Sequence, residues 1–455
     1  MRVPELLRRV RPRGDFSRSV LTIAAGTGTA QIIVIASSPI LTRLYTPANY
    51  GVFAVATSMI TILVAVTCLR YEYAVFLPEA DETAVNVMAL AFLVNVGMCL
   101  ASLVILGLAG SSILAFFGAA ALGPYILLVS LSQLGGGTGT NLVSWAVRTK
   151  TFSEIAKFRL AQAVALVTVQ VGLGVAGAGT AGLLFGDVAG RVSGSSRLAR
   201  SAWRRNADAF RRISPAGIVA AARRYWRFPI FSSPSALLSS LGLQLPVLSI
   251  VAFYGTTAGG HYALADRGCS IPLTLVAGAV GQVYLAEAAR NARQGSYAVR
   301  GLFLRTTRSL ALMAIGPAIL LAVLAPLLAG PVFGSNWSET GRFVAILVPL
   351  YFVAFIATAT GDTLYVVERL DLQLVREVMR VALIGGAVPI AAASGLPAAG
   401  SVIVLSAAGC LTYVLYWAIS WYAIVSAPGR TRQAELAAAD VASATAGGDG
   451  VAGVQ

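Results

Sequence analysis

AVNVMALAFLVNVGMCLASLVILGL, residues 84–108, runs for 25 positions without a charged side chain. At 1.5 Å of rise per residue, a helix of that length crosses the ~30 Å hydrocarbon layer of a bilayer. Backbone groups find no water in that layer, so a helix is the reasonable form for such a span. Runs of the same kind fall roughly at 19–42, 50–69, 124–145, 158–178, 180–200, 229–253, 259–286, 309–330, 342–366, 376–394 and 399–424. The expected fold is all-α, a polytopic membrane protein of about twelve transmembrane helices. Composition agrees: 57% of the 455 residues are hydrophobic, only 12% are charged, and the mean hydropathy is +0.77. A soluble domain carries about a quarter of its residues charged.

The 34 basic residues exceed the 19 acidic ones, for a net charge of +15. That excess would fit a nucleic-acid binder, but it lies in short stretches between apolar runs, so it reports topology and no nucleic-acid partner is expected. With the N-terminus inside, the cytoplasmic set holds Arg2 to Arg18, Arg148 with Lys150, Lys157 and Arg159, the cluster from Arg197 to Arg227, Arg290 to Arg308, Arg369, Arg376 and Arg380, and Arg430 with Arg432. The outer loops keep essentially Arg43 and Arg342, roughly thirty against two, which places both termini in the cytoplasm. The Arg-rich start followed by an apolar run imitates a secretory signal, yet the run is longer than a signal core and more spans follow. It is read as an uncleaved first span.

The basic stretch 197–228 divides the spans six and six, giving an N-terminal lobe over 1–200, an interlobe linker over 201–228 and a C-terminal lobe over 229–426. Arg204, Arg205, Arg211 and Arg212 with Trp203 and Phe210 fit either an amphipathic helix on anionic lipid headgroups or a plain topological stop signal. A faint repeat relates the halves. Pro39 precedes Gly51 by twelve residues and Pro246 precedes Gly260 by fourteen, each pair straddling an outer turn. From 427 to 455 the sequence is small and polar without aromatic residues, and is expected to be disordered.

Catalytic and metal chemistry find little support. Cys68, Cys99, Cys269 and Cys410 lie in apolar stretches without CxxC spacing, and His261 is the sole histidine. No GxSxG or HExxH occurs and the outer loops are short, so a transporter is expected and not an enzyme, with no cofactor and no metal. GLGVAG at Gly172 to Gly177 matches a dinucleotide fingerprint only in letters, because it ends one span and begins another. The Asn336-Trp-Ser338 sequon lies in an outer loop and carries little weight.

Charges at membrane depth carry the functional signal. An ionised side chain at the bilayer centre costs about 2.5–3.5 kcal/mol on insertion scales, so such residues face a polar interior. Asp266 and Arg267 lie about two turns below the outer end of the eighth span and point about 100° apart, which favours a polar cavity over mutual neutralisation. Asp187 and Arg191 share a helix face and could equally form a local ion pair. Arg43, Arg70 and Glu72 are near enough to headgroups to snorkel, and Glu287 and Asp362 lie toward inner ends. GGGTGTN at Gly135 to Asn141, with Gln133, is expected to line an aqueous interior, polar helix packing being the alternative.

Five stretches in order, SPILTRLYTPANYGVFAVATSMITIL from 38, LRYEYAVFLPEADETAVNV from 69, FPIFSSPSALLSSLGLQLPVL from 228, GHYALADRGCSIPLTLVAGAVGQVYLAEAA from 260 and VFGSNWSETGRFVAILVPLYF from 332, resemble Wzx-type polysaccharide repeat-unit flippases. Those belong to the multidrug/oligosaccharidyl-lipid/polysaccharide exporter superfamily. The resemblance implies two six-helix lobes around a central cavity, open by turns to either side, that turn over an undecaprenyl-pyrophosphate-linked oligosaccharide in a bacterial cytoplasmic membrane. Guanidinium groups suit a pyrophosphate through bidentate, charge-assisted bonds. Arg43, Arg70, Arg191 and Arg267 are the candidates for it, with Gln133 and Asn141 bonding sugar or stabilising the wall. Glu72, Asp187 and Asp266 are the candidates for coupling to H+ or Na+. Anionic lipids, a polysaccharide polymerase and glycosyltransferases are the expected partners. The competing readings are a multidrug exporter of the same superfamily and a membrane scaffold for polysaccharide assembly.

Overall fold

The computed structural model describes residues 15–292, 296–367 and 369–426. The arginines from Arg2 to Arg13, Arg430, Arg432 and the expected disordered tail lie outside the described residues. The twelve principal helices are α1 Asp15–Leu44, α2 Pro47–Val66, α3 Asp81–Phe116, α4 Ile126–Arg148, α5 Phe152–Val175, α6 Thr180–Phe210, α7 Pro215–Arg224, α8 Ser233–Ala292, α9 Ser296–Phe333, α10 Ser338–Ala359, α11 Leu370–Ala393 and α12 Ala398–Val425. No strand occurs among the described residues.

Nine helical stretches among the described residues are long and apolar enough to cross a membrane. One of them, Phe228–Asn291, is broken at Gly255, whose φ of 83° only glycine adopts readily, and it supplies two crossings. The more charged α6 and α11, where two further spans were expected, are not among these nine. The protein is a polytopic all-α membrane protein. Helix ends differ from the expected spans where polar residues extend a helix beyond the hydrocarbon. Thus α6 continues through the basic stretch to Phe210, and the short α7 follows, its N-terminus capped by Ser214 Oγ accepting from Gly217 N at 3.1 Å.

By their internal contacts the residues fall into two compact units. One contains the described residues through Gly268 with Pro326–Phe343 and Val388–Ala399, and the other contains the described residues of Cys269–Ala325 and Val344–Ala387 and those from Gly400. In the second unit Tyr284, Phe303, Trp417 and Trp421 pack together, and Tyr284 Oη bonds Thr363 Oγ1 at 2.7 Å. The buried Arg376 donates to the Gly361 carbonyl at 3.0 Å and lies 4.1 Å from the centroid of the Tyr416 ring.

Glycine sets the helix spacings of the first unit. Gly182, Gly186, Gly190 and Gly194 recur every fourth residue on α6, and a Cβ on any of the last three would press into Gln162, Leu166, Gln170 or Phe158 of α5. Each glycine costs about 1 kcal/mol of helix propensity against alanine, which close backbone packing offsets. A second contact joins α2 to α8. Thr46 caps α2, its Oγ1 accepting from Asn49 N at 3.3 Å, and Pro47 occupies the first turn. One turn later, a Cβ on Gly51 would overlap the Thr256 carbonyl, while a Cβ on Gly260 would overlap the Pro47 carbonyl. Gly51 stands four residues past the start of α2, and Gly260 stands five past the break at Gly255. The two glycines of the faint repeat therefore hold corresponding places and face each other.

Trp337 seals this crossing. It is 1% exposed, donates from Nε1 to the Thr42 carbonyl at 2.8 Å and meets Tyr50 edge-on at 5.0 Å between centroids. The bond satisfies one of the orphan carbonyls at the end of α1.

Valine at Gly51 or Gly260 would drive α2 and α8 apart, and thermal unfolding in detergent should record a loss of about 1–3 kcal/mol or more, the range for overpacked sites. Gly268→Ala meets no atom within 4 Å and should not lower the transition, but raise stability by up to about 1 kcal/mol through helix propensity.

Candidate functional site

The α2–α8 crossing places a cavity of about 310 Å³ inside the first unit. From α2 come Tyr50, Phe53, Thr57 and Ser58, and from α8 come Gln244, Asp266 and Arg267. Gln170 of α5 and Asp187 with Arg191 of α6 complete the polar lining. Arg267 follows Gly260 by seven residues, two helical turns, so the glycine contact and the arginine share one face of α8.

Two arginines line this cavity in different states. Arg191 Nε donates to Asp187 Oδ2 at 2.7 Å, with Asp187 5% exposed. The ion pair on one face of α6 is therefore formed, and it lies at the cavity wall. Room for it comes from α4, since a Cβ on Gly136 would fall 2.9 Å from Arg191 Nη1 and one on Gly135 would fall 3.0 Å from Arg191 Cβ. Arg267 differs, because no carboxylate among the described residues comes within salt-bridge distance of it. A guanidinium held in a polar hollow without a counter-charge at contact distance attracts an anion. Asp266 lines the same cavity from the neighbouring position.

The other expected site residues lie elsewhere. Arg43 is exposed and donates to the Pro331 carbonyl at 3.2 Å, so it ties the end of α1 to the end of α9. Arg70 has a φ of 63°, lies 3.9 Å from Glu72 Oε1 and sits over the Tyr73 ring at 5.0 Å. Glu72 is 4% exposed, and its Oε2 has no hydrogen-bond partner among the described residues.

Gln133 is fully buried, accepting from Ser102 Oγ at 2.6 Å and donating to Thr67 Oγ1 at 3.1 Å. Asn141 donates to the Met88 carbonyl at 2.9 Å. The glycines between them receive Asn95, Thr67, Phe158 and Ser195 from neighbouring helices. The stretch 133–141 is thus engaged in polar helix packing, and no residue of it lines the cavity.

The sequence reading overlooked Gln170 and Gln244. Both are amides inside apolar runs, a signal of the same kind as Gln133, and both bond inside the first unit. Gln170 Nε2 donates to the Leu183 carbonyl at 3.0 Å, and Gln244 Oε1 accepts from Ser58 Oγ at 3.0 Å.

The Asp187–Arg191 pair is partly buried, so a double-mutant cycle with Asp187→Asn and Arg191→Gln should return a coupling of about 1–3 kcal/mol in thermal unfolding. A coupling near zero would mean that water screens the pair.

Residues 40–342 match the family model described as polysaccharide biosynthesis protein. No curated protein matches the sequence. Solved structures share the fold. An inward-facing multidrug resistance transporter of the MATE family, in the MOP superfamily, is 14% identical with a TM-score of 0.67 over 89% of this chain and 98% of its own. The lipid II flippase MurJ, in an inward closed conformation, is 12% identical with a TM-score of 0.68 over 87% of this chain and 86% of its own. A MOP superfamily transporter from Pyrococcus furiosus, described as having a binding pocket of reverse polarity, is 12% identical with a TM-score of 0.53 over 90% of this chain and 94% of its own. At such identities the likeness is one of fold, whereas the family model spans two thirds of the sequence, and on that ground the chain belongs to the polysaccharide biosynthesis protein family.

Proposed function

We propose that the chain is a flippase that moves an undecaprenyl-pyrophosphate-linked oligosaccharide across the bacterial cytoplasmic membrane by alternating access, for surface polysaccharide assembly. The observation that carries this reading is Arg267, a guanidinium with no carboxylate at contact distance among the described residues, in a cavity lined from α2, α5, α6 and α8. A lipid-linked pyrophosphate has a charged head that must pass the hydrocarbon, and guanidinium offers it paired donors. Membership in a polysaccharide biosynthesis family and the shared fold of a lipid II flippase support the same substrate class.

Within this proposal Arg267 makes the first contact, and Arg191, already paired with Asp187, makes a second when that pair opens. Gln170, Gln244 and Ser58 bond the sugar-proximal oxygens. Gln133 and Asn141 stabilise the wall, and Arg43 and Arg70 act at the two membrane surfaces. The expected halves, 1–200 and 229–426, are the moving parts. Asp187, Asp266 and Glu72 take up H+ or Na+ and couple the cycle to a gradient. Transport that survives collapse of both gradients would rule this coupling out.

In cells, Arg267→Ala should lower turnover of the lipid-linked oligosaccharide roughly tenfold to a hundredfold, the equivalent of about 1.5–3 kcal/mol for hydrogen bonds to a charged group. Surface polysaccharide should fall and the lipid-linked precursor accumulate. The shared fold of a MATE transporter makes drug export the second reading, so drug resistance is measured alongside. Lost resistance with intact surface glycan would establish the exporter, and full tolerance of the substitution would favour a scaffold.

A further inference from the structure

A second, larger hollow of about 530 Å³ lies between α5 and α6 in the first unit, away from the charged cavity just described. Four arginines of α6 line it, Arg197, Arg200, Arg204 and Arg205. Ser193, Ser196 and Ser201 belong to the same lining, and Glu154 of α5 faces them.

The spacing makes this a built feature of one helix face. Positions 193, 196, 197, 200, 201 and 204 advance by alternating steps of three and one, so that each has a neighbour three or four residues away on one face of the helix. Arginines that only set topology need share no face and need no hollow between them. Here the glycine row of α6 brings the helix against α5, so the arginine and serine row follows it directly along the chain toward the surface.

Charge balance points to an anion. Glu154 is the only acid among the described residues of the lining, and it already accepts from Lys157 Nζ at 2.8 Å. Arg205 reaches it at 3.9 Å, while Arg197, Arg200 and Arg204 have no carboxylate among the described residues within salt-bridge distance. Several like charges on consecutive turns repel one another. A multiply charged oxyanion bridging them removes that repulsion and matches the guanidinium fork. The volume lies in the range of small-molecule sites.

The surroundings point to a membrane lipid as the carrier of that oxyanion. Trp203, on the same stretch of α6, is 55% exposed and stacks obliquely on Phe210 at 5.6 Å between centroids. Exposed tryptophan beside arginine at the end of a spanning helix is the composition of the headgroup layer. We propose that the α5–α6 hollow binds the phosphate or diphosphate group of a membrane lipid at the arginine-rich surface of the protein, separately from the Arg267 cavity.

Two lipids carry this chemistry, an anionic phospholipid and the polyprenyl diphosphate itself, and the test separates them. Full-length protein in phosphatidylcholine nanodiscs is titrated with phosphatidylglycerol and, in parallel, with undecaprenyl diphosphate, and bound lipid is read by native mass spectrometry. The triple variant Arg197→Gln, Arg200→Gln, Arg204→Gln should weaken at least one of them by roughly tenfold or more, and the corresponding lysine triple should weaken it less. The control Arg223→Gln, Arg224→Gln removes charge from α7, outside the hollow, and should leave both affinities unchanged. Loss for phosphatidylglycerol alone makes the site a phospholipid anchor, and loss for undecaprenyl diphosphate alone makes it a docking point for that lipid. Equal affinities in the triple variant and the wild type, or an equal loss in the α7 control, would overturn the proposal. Thermal unfolding of each variant checks that the exposed substitutions leave the fold in place. Because binding is read without turnover, failure here leaves the flippase reading standing, and failure of that reading leaves this site standing.

Discussion

Two glycines in backbone contact govern how the first unit is put together. Gly51 and Gly260 let the start of α2 and the second half of α8 approach to a distance that no side chain would permit. Thr57 and Ser58 follow Gly51, and Asp266 and Arg267 follow Gly260, by six and seven residues, about two turns, so two missing methyl groups fix the position of these four lining residues. Trp337 closes the crossing from the side, bonding α1 and meeting Tyr50 edge-on. The glycine row of α6 does the same for α5, bringing Gln170 and Asp187 to opposite sides of one small space. In a bilayer, where burying apolar surface yields little because lipid is as apolar as leucine, close packing of this kind is what remains to hold helices in register.

That scaffold divides the membrane-depth arginines by environment. Arg43 is tied to a backbone carbonyl, Arg70 to a neighbouring carboxylate and ring, and Arg191 to Asp187 within a pocket cleared by Gly136. Among the described residues, Arg267 alone of these four has neither a carboxylate at contact distance nor a carbonyl accepting from it. Identical side chains thus form a tie to a backbone carbonyl, a pair with a neighbouring acid and ring, and a buried ion pair, while the fourth lines the cavity that Asp187 and Asp266 also line. The chemistry of the guanidinium is constant, and its partners decide its role.

Much of this was legible in the sequence. The apolar runs gave the spans because hydrocarbon imposes a length and forbids unpaired backbone. The ion pair of Asp187 and Arg191 could be read from a spacing of four, and the place of Asp266 and Arg267 from their depth. The polar stretch 133–141 was harder, because a buried amide that bonds another helix has the same letters as one that faces water. Gln133 and Gln170 differ only in which helix arrives opposite them, and that depends on contacts distant in sequence. Arg43 was similar, since Pro331 at the end of α9, whose carbonyl it bonds, lies 288 positions away. The glycines of the faint repeat were visible as letters, but their meeting face to face required the fold.

The measurement that bears most directly on the account places a single cysteine at Thr57, on the cavity wall, in a chain whose four native cysteines are replaced by serine. The rate of its reaction with a charged, membrane-impermeant thiol reagent is then followed with and without undecaprenyl diphosphate. A water-filled anion site predicts a readily modified thiol, protection by the lipid, and loss of that protection when Arg267 is replaced by alanine. A thiol that stays unreactive under all conditions, or one whose protection survives the loss of Arg267, would contradict it.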